Sequence, residues 1–248
     1  MQFTLSGKAA LITGGRRIGA VVAAALAQRG VDIALSYNRS RDEADAATES
    51  VRRAGRRGVA LQANLSVASD CALLVDRAAQ EFARLDILIN MASVYAPRPF
   101  DATEEAHWDA AIDVDLKAAF LCSRAAVPYM RKAGQGRIIN FSDWVAASGR
   151  PRYPGYLPYY VAKRALIGLT EALALELAAD QIHVNAIAPG PIVAPEGMDE
   201  NDIEAVQKAT PLGRWGGEAA IADAVLFLLE STFVTGETIR VDGGRHVK

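Results

Sequence analysis

The chain has 248 residues, of which 51% are hydrophobic and 23% are charged, and its formal net charge is −2 at pH 7. This composition excludes a disordered chain, and the balanced charge argues against nucleic acid or an anionic membrane as a partner. The length fits one domain spanning residues 1–248 that binds a small-molecule ligand. The two cysteines and an N-terminus without signal-peptide features predict a soluble, cytoplasmic protein.

Short aliphatic runs alternate with longer amphipathic segments along the chain, which is typical of βαβ units. The pattern predicts an α/β fold: a single-domain, doubly wound Rossmann fold whose mostly parallel sheet has about seven strands and helices on both faces. The predicted strands are Ala9–Ile12, Ile33–Ser36, Val59–Gln62, Ile87–Ile89, Ile138–Phe141, His183–Ala186 and Thr238–Val241.

One region, residues 189–215, breaks this alternation because Pro, Gly and acidic residues surround one short helical pattern, Asn201–Ala209. A long connection at the ligand edge of such a sheet often forms a lid over the substrate. The alternative is a variable surface loop.

A glycine-rich turn, Thr13–Gly19, follows the first predicted strand and opens the first helix. Glycine lets the backbone turn sharply and approach a pyrophosphate, and the free N–H groups of the helix N-terminus stabilise the phosphate charge. The turn therefore predicts dinucleotide binding through Gly14, Arg16, Arg17, Ile18 and Gly19.

The end of the second strand distinguishes NADPH from NADH. An acid at this place hydrogen-bonds the adenosine ribose, whereas an arginine accommodates a 2′-phosphate. Here the sequence reads Asn38, Arg39, Ser40, and Asp32 begins the strand at the wrong edge of the sheet. This favours NADP(H), and the alternative is that the arginine is a simple surface charge.

Tyr159 and Lys163 have the i, i+4 spacing that places two side chains on one face of a helix. A nearby ammonium lowers the pKa of a phenol and helps it to exchange a proton with a substrate atom that receives hydride.

These motifs, together with Asn90–Ser93 and Ile187–Gly190, resemble the short-chain dehydrogenase/reductase family over essentially the whole chain. The resemblance implies that Tyr159 and Lys163 are catalytic and that Asp115 replaces an asparagine that orders a proton path. It also implies that Asp143 replaces the catalytic serine beside Tyr159, where an ionised aspartate would raise the pKa of the phenol and favour proton donation. In the alternative interpretation Ser142 is the catalytic residue and Asp143 is incidental. The glycine turn is one residue shorter than the family pattern, so Arg16 and Arg17 can exchange roles. Further cofactor contacts implied by the resemblance are Asn64, Leu65, Asn90, Ala92, Ser93, Tyr159, Lys163, Pro189, Gly190 and Ile192.

Four positions resemble the pteridine reductase branch of that family: Arg17 in the turn, Ser93, Tyr95 and Asp143. In that branch an aromatic ring stacks on the pterin, and an aspartate and a tyrosine share protonation of the ring nitrogen. The resemblance implies a substrate site at Ser93, Tyr95, Asp143 and Tyr159. Tyr95 could instead be an ordinary loop tyrosine.

Three functions remain open at this point. The first is NADPH-dependent reduction of a pterin-like or dihydrofolate-like C=N bond, the second is reduction of a carbonyl such as a 3-oxoacyl thioester, sugar, aldehyde or ketone, and the third is a catalytically silent NADPH-binding sensor or scaffold. The three histidines are too scattered to predict a metal site. The helical segment 165–178 is apolar nearly all round, which predicts a homo-oligomer, a dimer or tetramer.

Overall fold

The computed structural model describes residues 3–14, 16–195 and 197–248. Seven parallel strands form one sheet: β1 (Ala9–Thr13), β2 (Asp32–Tyr37), β3 (Gly58–Gln62), β4 (Ile87–Asn90), β5 (Gly136–Phe141), β6 (Ile182–Pro189) and β7 (Thr238–Val241). Every predicted strand is present within a few residues of its predicted bounds. The spatial order is β3-β2-β1-β4-β5-β6-β7, and all neighbouring pairs are parallel.

Helices connect consecutive strands, as parallel pairing requires. They are α1 (Ile18–Gln28), α2 (Arg41–Arg53), α3 (Ala68–Phe82), α4 (Glu105–Ile112), α5 (Ala118–Lys132), α6 (Trp144–Ala147), α7 (Leu157–Leu177), α8 (Glu200–Ala209) and α9 (Glu218–Glu230). A π-helical segment, Asp113–Lys117, joins α4 to α5. Short π-helical segments occur frequently at functional sites.

Two hydrophobic cores lie on opposite faces of the sheet. Ile12 and Ile33 pack with α1, α2 and α9, whereas Leu11 and Ala34 pack with α3, α5 and α7. Alternate residues of each strand point to opposite faces of the sheet, and helices cover both faces. β1 is therefore buried along its whole length, and all of its residues except Thr13 are apolar. The predicted doubly wound, single-domain fold is confirmed.

The direction in which strands are added reverses between β1 and β4, the two strands at the centre of the sheet. At such a switch point the connections leave on opposite faces, so a crevice opens beyond the carboxyl ends of the strands. Thr13 pairs with Asn90 in this register, and Asn90 pairs with Asn140. The glycine turn and the segments after β4 and β5 therefore meet at one edge.

Asp32 lies at the other edge of the sheet, where it is 4% exposed. Its carboxylate accepts a hydrogen bond from Arg57 Nε at 2.8 Å and pairs with Arg56 at 2.7 Å. These contacts contribute to a pKa of Asp32 below its ordinary value, although burial alone would raise that pKa. Asp32 therefore begins β2, as predicted, and does not line the cleft described below.

The 189–215 region contains α8, which covers the predicted helical pattern. Asp199 caps it, because its side chain accepts a hydrogen bond from the Asn201 N–H at 2.8 Å. Glu196 lies outside the described residues, and the lid role of this region stays a prediction. Within the described ranges, no helix is both long and apolar enough to cross a bilayer, and no group of three or more potential metal ligands occurs.

Candidate active site

A cleft of about 1190 Å³ opens at the carboxyl ends of the strands, where β1 and β4 diverge. Small-molecule sites occupy roughly 300–1,000 Å³, so the cleft has room for a large cofactor. Of the residues that the sequence assigns to cofactor or substrate, the cleft is lined by Gly14, Arg16, Arg17, Ile18, Asn38, Arg39, Ser40, Asn64, Leu65, Ala92, Ser93, Tyr95, Asp143, Tyr159, Pro189, Gly190 and Ile192.

The glycine turn has no space for side chains at two positions. A Cβ on Gly14, whose φ is +83°, would lie 3.1 Å from Ala92 Cα, and a Cβ on Gly19 would lie 2.4 Å from the Gly14 carbonyl oxygen. Gly19 is therefore buried under the turn and acts through its backbone. Gly15 lies outside the described residues.

The two arginines of the turn point to different partners. Arg17 donates from Nη2 to the carbonyl oxygen of Ala194 at 2.9 Å, which connects the turn to the 189–215 region. Arg16 pairs with Glu43 on α2 at 3.4 Å, and both side chains are about half exposed. Arg17 is held in the left-handed backbone region, with φ 47°.

The adenosine end of the cleft is lined by the segment after β2. Asn38 and Arg39 are exposed there, and Ser40 is half-buried. Asn64 faces them, but its side-chain oxygen already accepts a hydrogen bond from Ser66 Oγ at 2.8 Å, so its amide N–H groups are the part left for a ligand.

Tyr159 and Asp143 are in direct contact. The Tyr159 hydroxyl donates to Asp143 Oδ2 at 3.1 Å, and Asp143 Oδ1 caps α6 by accepting from the Val145 N–H at 2.7 Å. Burial raises the pKa of Asp143. Burial, and then the charges of Asp143 and Asp115, raise the pKa of Tyr159 well above its ordinary value. Both groups thus favour their protonated forms.

Lys163 lies beneath Tyr159 rather than in the cleft wall. Its ammonium is 5.7 Å from the centre of the Tyr159 ring, donates to the carbonyl oxygen of Phe141 at 2.8 Å and pairs with Asp115 Oδ1 at 3.1 Å. The side chains of Lys163 and Asp115 are 3% and 0% exposed, so this is a buried ion pair.

Asp115 is presented by the π-helical segment and holds the loop after β4. It accepts hydrogen bonds from the Ser93 hydroxyl and, at 3.0 Å, from the Val94 N–H. Asn90 is also buried behind the cleft, where its amide donates to Asn140 Oδ1 at 2.9 Å. Ala92 and Ser93, and not Asn90, Asp115 or Lys163, therefore reach the cleft surface.

Aromatic rings form the wall next to Tyr159. Tyr95 stacks on Tyr156, with ring centres 4.5 Å apart, and makes an edge-to-face contact with Tyr159, with ring centres 4.9 Å apart. Tyr95 is therefore part of an aromatic cluster, and Tyr156 covers one face of its ring. Trp144 and Arg245 line the cleft too, but neither has a periodicity or motif that indicates this place.

The fold and these residues define a class of protein. A glycine turn at a switch-point cleft, together with a tyrosine above a buried lysine, is the arrangement of a dinucleotide-dependent oxidoreductase. A family profile described as "Enoyl-(Acyl carrier protein) reductase" matches residues 13–246. The chain belongs to the short-chain dehydrogenase/reductase family.

Individual relatives agree with this assignment. The chain is 36% identical to the 3-oxoacyl-[acyl-carrier-protein] reductase FabG of Staphylococcus aureus, over 97% of this chain and 98% of that protein. A short-chain dehydrogenase/reductase from Serratia marcescens is 31% identical with a TM-score of 0.91, over 98% and 99% of the two chains. A short chain dehydrogenase from Burkholderia cenocepacia, solved in complex with NADP, is 32% identical with a TM-score of 0.91 and the same coverage.

These comparisons confirm the predicted family and leave the predicted branch without support. None of the three relatives is named as a pteridine reductase, and the name of the first matches the carbonyl alternative.

Proposed function

We propose that this protein is an NADPH-dependent reductase of a carbonyl group in a small molecule. The observation that carries the proposal is the hydrogen bond between Tyr159 and Asp143 at the cleft wall, with Lys163 buried beneath it. The name of the Staphylococcus aureus relative, a 3-oxoacyl reductase, supports a carbonyl substrate.

The cleft suits a phosphorylated dinucleotide. Its glycine turn has no room for a Cβ at Gly19, and the positive φ of Gly14 disfavours any side chain there. The end of β2 offers Arg39 without an acid in the lining of the cleft next to it. Arg39, with Asn38 and Ser40, would hold the 2′-phosphate. The relative from Burkholderia cenocepacia was solved with NADP, which supports this choice. Bound NADPH supplies the hydride.

The remaining cofactor residues would bind other parts of the dinucleotide. Asn64 and Leu65 would contact the adenine, and Ala92 and Ser93 would support the nicotinamide side. Pro189, Gly190 and Ile192 form the other wall of the cleft. Gly190 has no space for a side chain, because a Cβ would lie 2.5 Å from Asp242 Cβ.

The proton that a reduced carbonyl oxygen requires comes from Tyr159. Its raised pKa keeps the phenol protonated at neutral pH. Asp143, whose carboxyl group accepts the hydrogen bond from the phenol, can relay a proton to the phenol oxygen after transfer. Asp115 positions Lys163 through the buried ion pair. The site therefore favours proton donation, which is the direction of reduction.

Reduction of a pterin-like C=N bond is the second candidate. It would use the same pair of side chains, Tyr159 and Asp143, since a ring nitrogen also requires a proton. Tyr95 would hold the pterin ring only through the face that Tyr156 leaves uncovered, or after a rotation of its side chain.

NADPH oxidation measured with a 3-oxoacyl thioester, a set of ketones and aldehydes, and dihydrobiopterin separates the candidates. We expect turnover of a carbonyl compound, and exclusive turnover of dihydrobiopterin would replace the first candidate by the second. No turnover of any compound, with tight NADPH binding that Tyr159→Phe leaves unchanged, would favour a silent binding protein.

We also propose that the chain forms a homo-oligomer. Helix α7 presents apolar side chains to solvent, among them Leu157, Val161 and Leu175, the last of which is 81% exposed. A two-fold contact would bury such a stripe. Sedimentation equilibrium should give a dimer or a tetramer, and a monomer at micromolar concentration would contradict the proposal.

A further inference from the structure

A second cavity, of about 680 Å³, adjoins the cleft, and we call it the side cavity. Among the described residues, those that line both spaces are Tyr95, Asp143, Trp144, Tyr153, Tyr156 and Tyr159. The two spaces therefore meet at the hydrogen-bonded pair of Tyr159 and Asp143. A molecule whose reducible group lies at Tyr159 can extend from there into the side cavity.

The part of the wall that belongs to the side cavity and not to the cleft is mostly apolar. It includes Leu157 and Val161 of α7, Val145 of α6, and Phe100 of the loop after β4. Aromatic rings form the part that both spaces share. A substituent that enters the side cavity therefore gains mainly by burying apolar surface.

Two of the charged side chains in the wall are engaged with other parts of the protein. The oxygens of Asp143 accept hydrogen bonds from the Tyr159 hydroxyl and the Val145 N–H. The Arg152 guanidinium lies against the Trp144 ring, with its carbon 5.4 Å from the ring centre, and donates to a main-chain oxygen. Neither group needs a polar ligand to complete its contacts.

Main-chain and ring contacts fix the shape of the side cavity. The Arg98 N–H donates to the Gly155 carbonyl oxygen at 2.7 Å and so joins the loop after β4 to the loop before α7. Gly155 has φ +85°, which favours glycine at this close approach. Tyr95 and Tyr156 stack across the same two loops, with ring centres 4.5 Å apart. The pocket is therefore formed before a ligand binds, which lowers the entropic cost of binding.

We propose that the side cavity binds the apolar or aromatic substituent of a ketone whose carbonyl group lies at Tyr159. The proposal rests on the proposed function, because it assumes that a carbonyl group is reduced there. It makes Leu157 a specificity-determining residue, since its side chain lines the side cavity and not the cleft. Ketones with a bulky apolar substituent are then the substrate class.

A second copy of the chain is the competing occupant, because Leu157 and Val161 also belong to the apolar stripe of α7 that we propose to be buried between copies. The continuity of the side cavity with Tyr159 favours the substrate. A contact between two helices needs a matching surface, and it does not need a cavity of about 680 Å³ that reaches the proton donor.

Filling the side cavity by chemical modification tests the proposal. Both natural cysteines, Cys71 and Cys122, are fully buried, so the Leu157→Cys variant adds one accessible thiol. Benzyl methanethiosulfonate attaches a benzylthio group to that thiol. The Leu175→Cys variant is the matched control, because Leu175 is exposed on the same face of α7, five helical turns further on, and lines neither space.

The substrates are 4-phenylbutan-2-one and butan-2-one, which differ by the phenyl group. For the unmodified enzyme we expect kcat/KM with NADPH to be at least about tenfold higher for the phenyl ketone, since even one methylene in an apolar pocket is worth several-fold. The label on Leu157→Cys should lower this ratio about tenfold, and the label on Leu175→Cys should leave it unchanged. Equal kcat/KM for the two ketones, or a ratio that the first label does not alter, would overturn the proposal.

Sedimentation velocity of the labelled proteins distinguishes the substrate from the second copy. The label on Leu157→Cys should leave the same oligomeric state as the label on Leu175→Cys. Dissociation in the first protein alone would assign the side cavity to the contact between copies, and the substrate proposal would be wrong.

Protection from labelling separates this proposal from the proposed function. With NADP⁺ bound, 4-phenylbutan-2-one cannot be reduced, and above its Kd it should slow labelling of Leu157→Cys more than about twofold. Labelling of Leu175→Cys should keep its rate. If no carbonyl compound is turned over, the proposed function fails, but this protection would still establish a site for an apolar group. Unchanged labelling of Leu157→Cys would remove that site.

Discussion

Replacing Asp143 by serine tests how the site controls its proton. The Asp143 carboxylate accepts a hydrogen bond from the Tyr159 hydroxyl at 3.1 Å. Burial raises the pKa of Asp143, so its neutral form persists to higher pH than that of an exposed carboxyl. The rate of reduction should therefore be highest below this pKa and should decrease as the pH rises through it. Alcohol oxidation requires Tyr159 to lose its proton, and the negative charge of the ionised aspartate opposes that loss.

The size of the effect follows from the distance. Two negative charges 3.1 Å apart repel by about 5 kcal/mol at an effective permittivity of about 20. Water in the open cleft screens this to about 2 kcal/mol, which corresponds to roughly 1.5 units in the pKa of Tyr159. The Asp143→Ser variant should thus oxidise an alcohol product at a pH about one to two units lower. Its reduction rate at the acidic end of the profile should fall only about tenfold, because Tyr159 remains as donor.

The assay is the pH dependence of kcat/KM in both directions with NADPH and NADP⁺, between pH 5 and 10. Asp143→Asn is the control, since it removes the charge and nearly preserves the shape, and it should shift the oxidation profile in the same direction. Superimposable profiles for the unmodified and Asp143→Ser enzymes would refute the assigned role of Asp143.

Three other substitutions test separate parts of the site. Tyr159→Phe should lower kcat/KM by about 10³-fold, measured by stopped-flow, while the NADPH affinity, measured by fluorescence titration, should change less than about threefold. Near-normal turnover would show that Tyr159 takes no part in the chemistry. Arg39→Ala should weaken NADPH binding about tenfold and NADH binding less than about twofold, and equal losses would show that the 2′-phosphate lies elsewhere. Asp115→Asn leaves the Lys163 ammonium buried without a counter-charge, so the free energy of unfolding in urea should fall by about 3–5 kcal/mol. An unchanged value would mean that the ion pair does not stabilise the fold.

The strands and the edge of the sheet at which the cleft opens could be predicted, because the sequence patterns that indicate them are local. The apolar runs of β1 and β5 and the i, i+4 spacing of Tyr159 and Lys163 depend on neighbours within one or two turns of chain. The same holds for the glycine turn, where a positive φ at Gly14 and the close approach of the Gly14 carbonyl oxygen to Gly19 select glycine. The resemblance to the family motifs predicted the roles of individual residues, which such patterns do not indicate.

Other contacts depend on the packing of segments that are distant in the chain. The ion pair between Asp115 and Lys163 forms because the π-helical segment packs against α7, and no periodicity reports that contact. Arg152 and Arg245 both lie against the Trp144 ring, because residues near position 248 pack against the loop before α7.

The sequence by itself therefore determined the fold class, the edge of the sheet at which the cleft opens and the tyrosine–lysine couple, since each depends on residue types at short, regular spacing. Tertiary structure alone decided which charges surround Tyr159 and which side chains line the cleft next to it. The physical reason is that electrostatic and packing interactions act through distance in space, and separation along the chain does not give that distance.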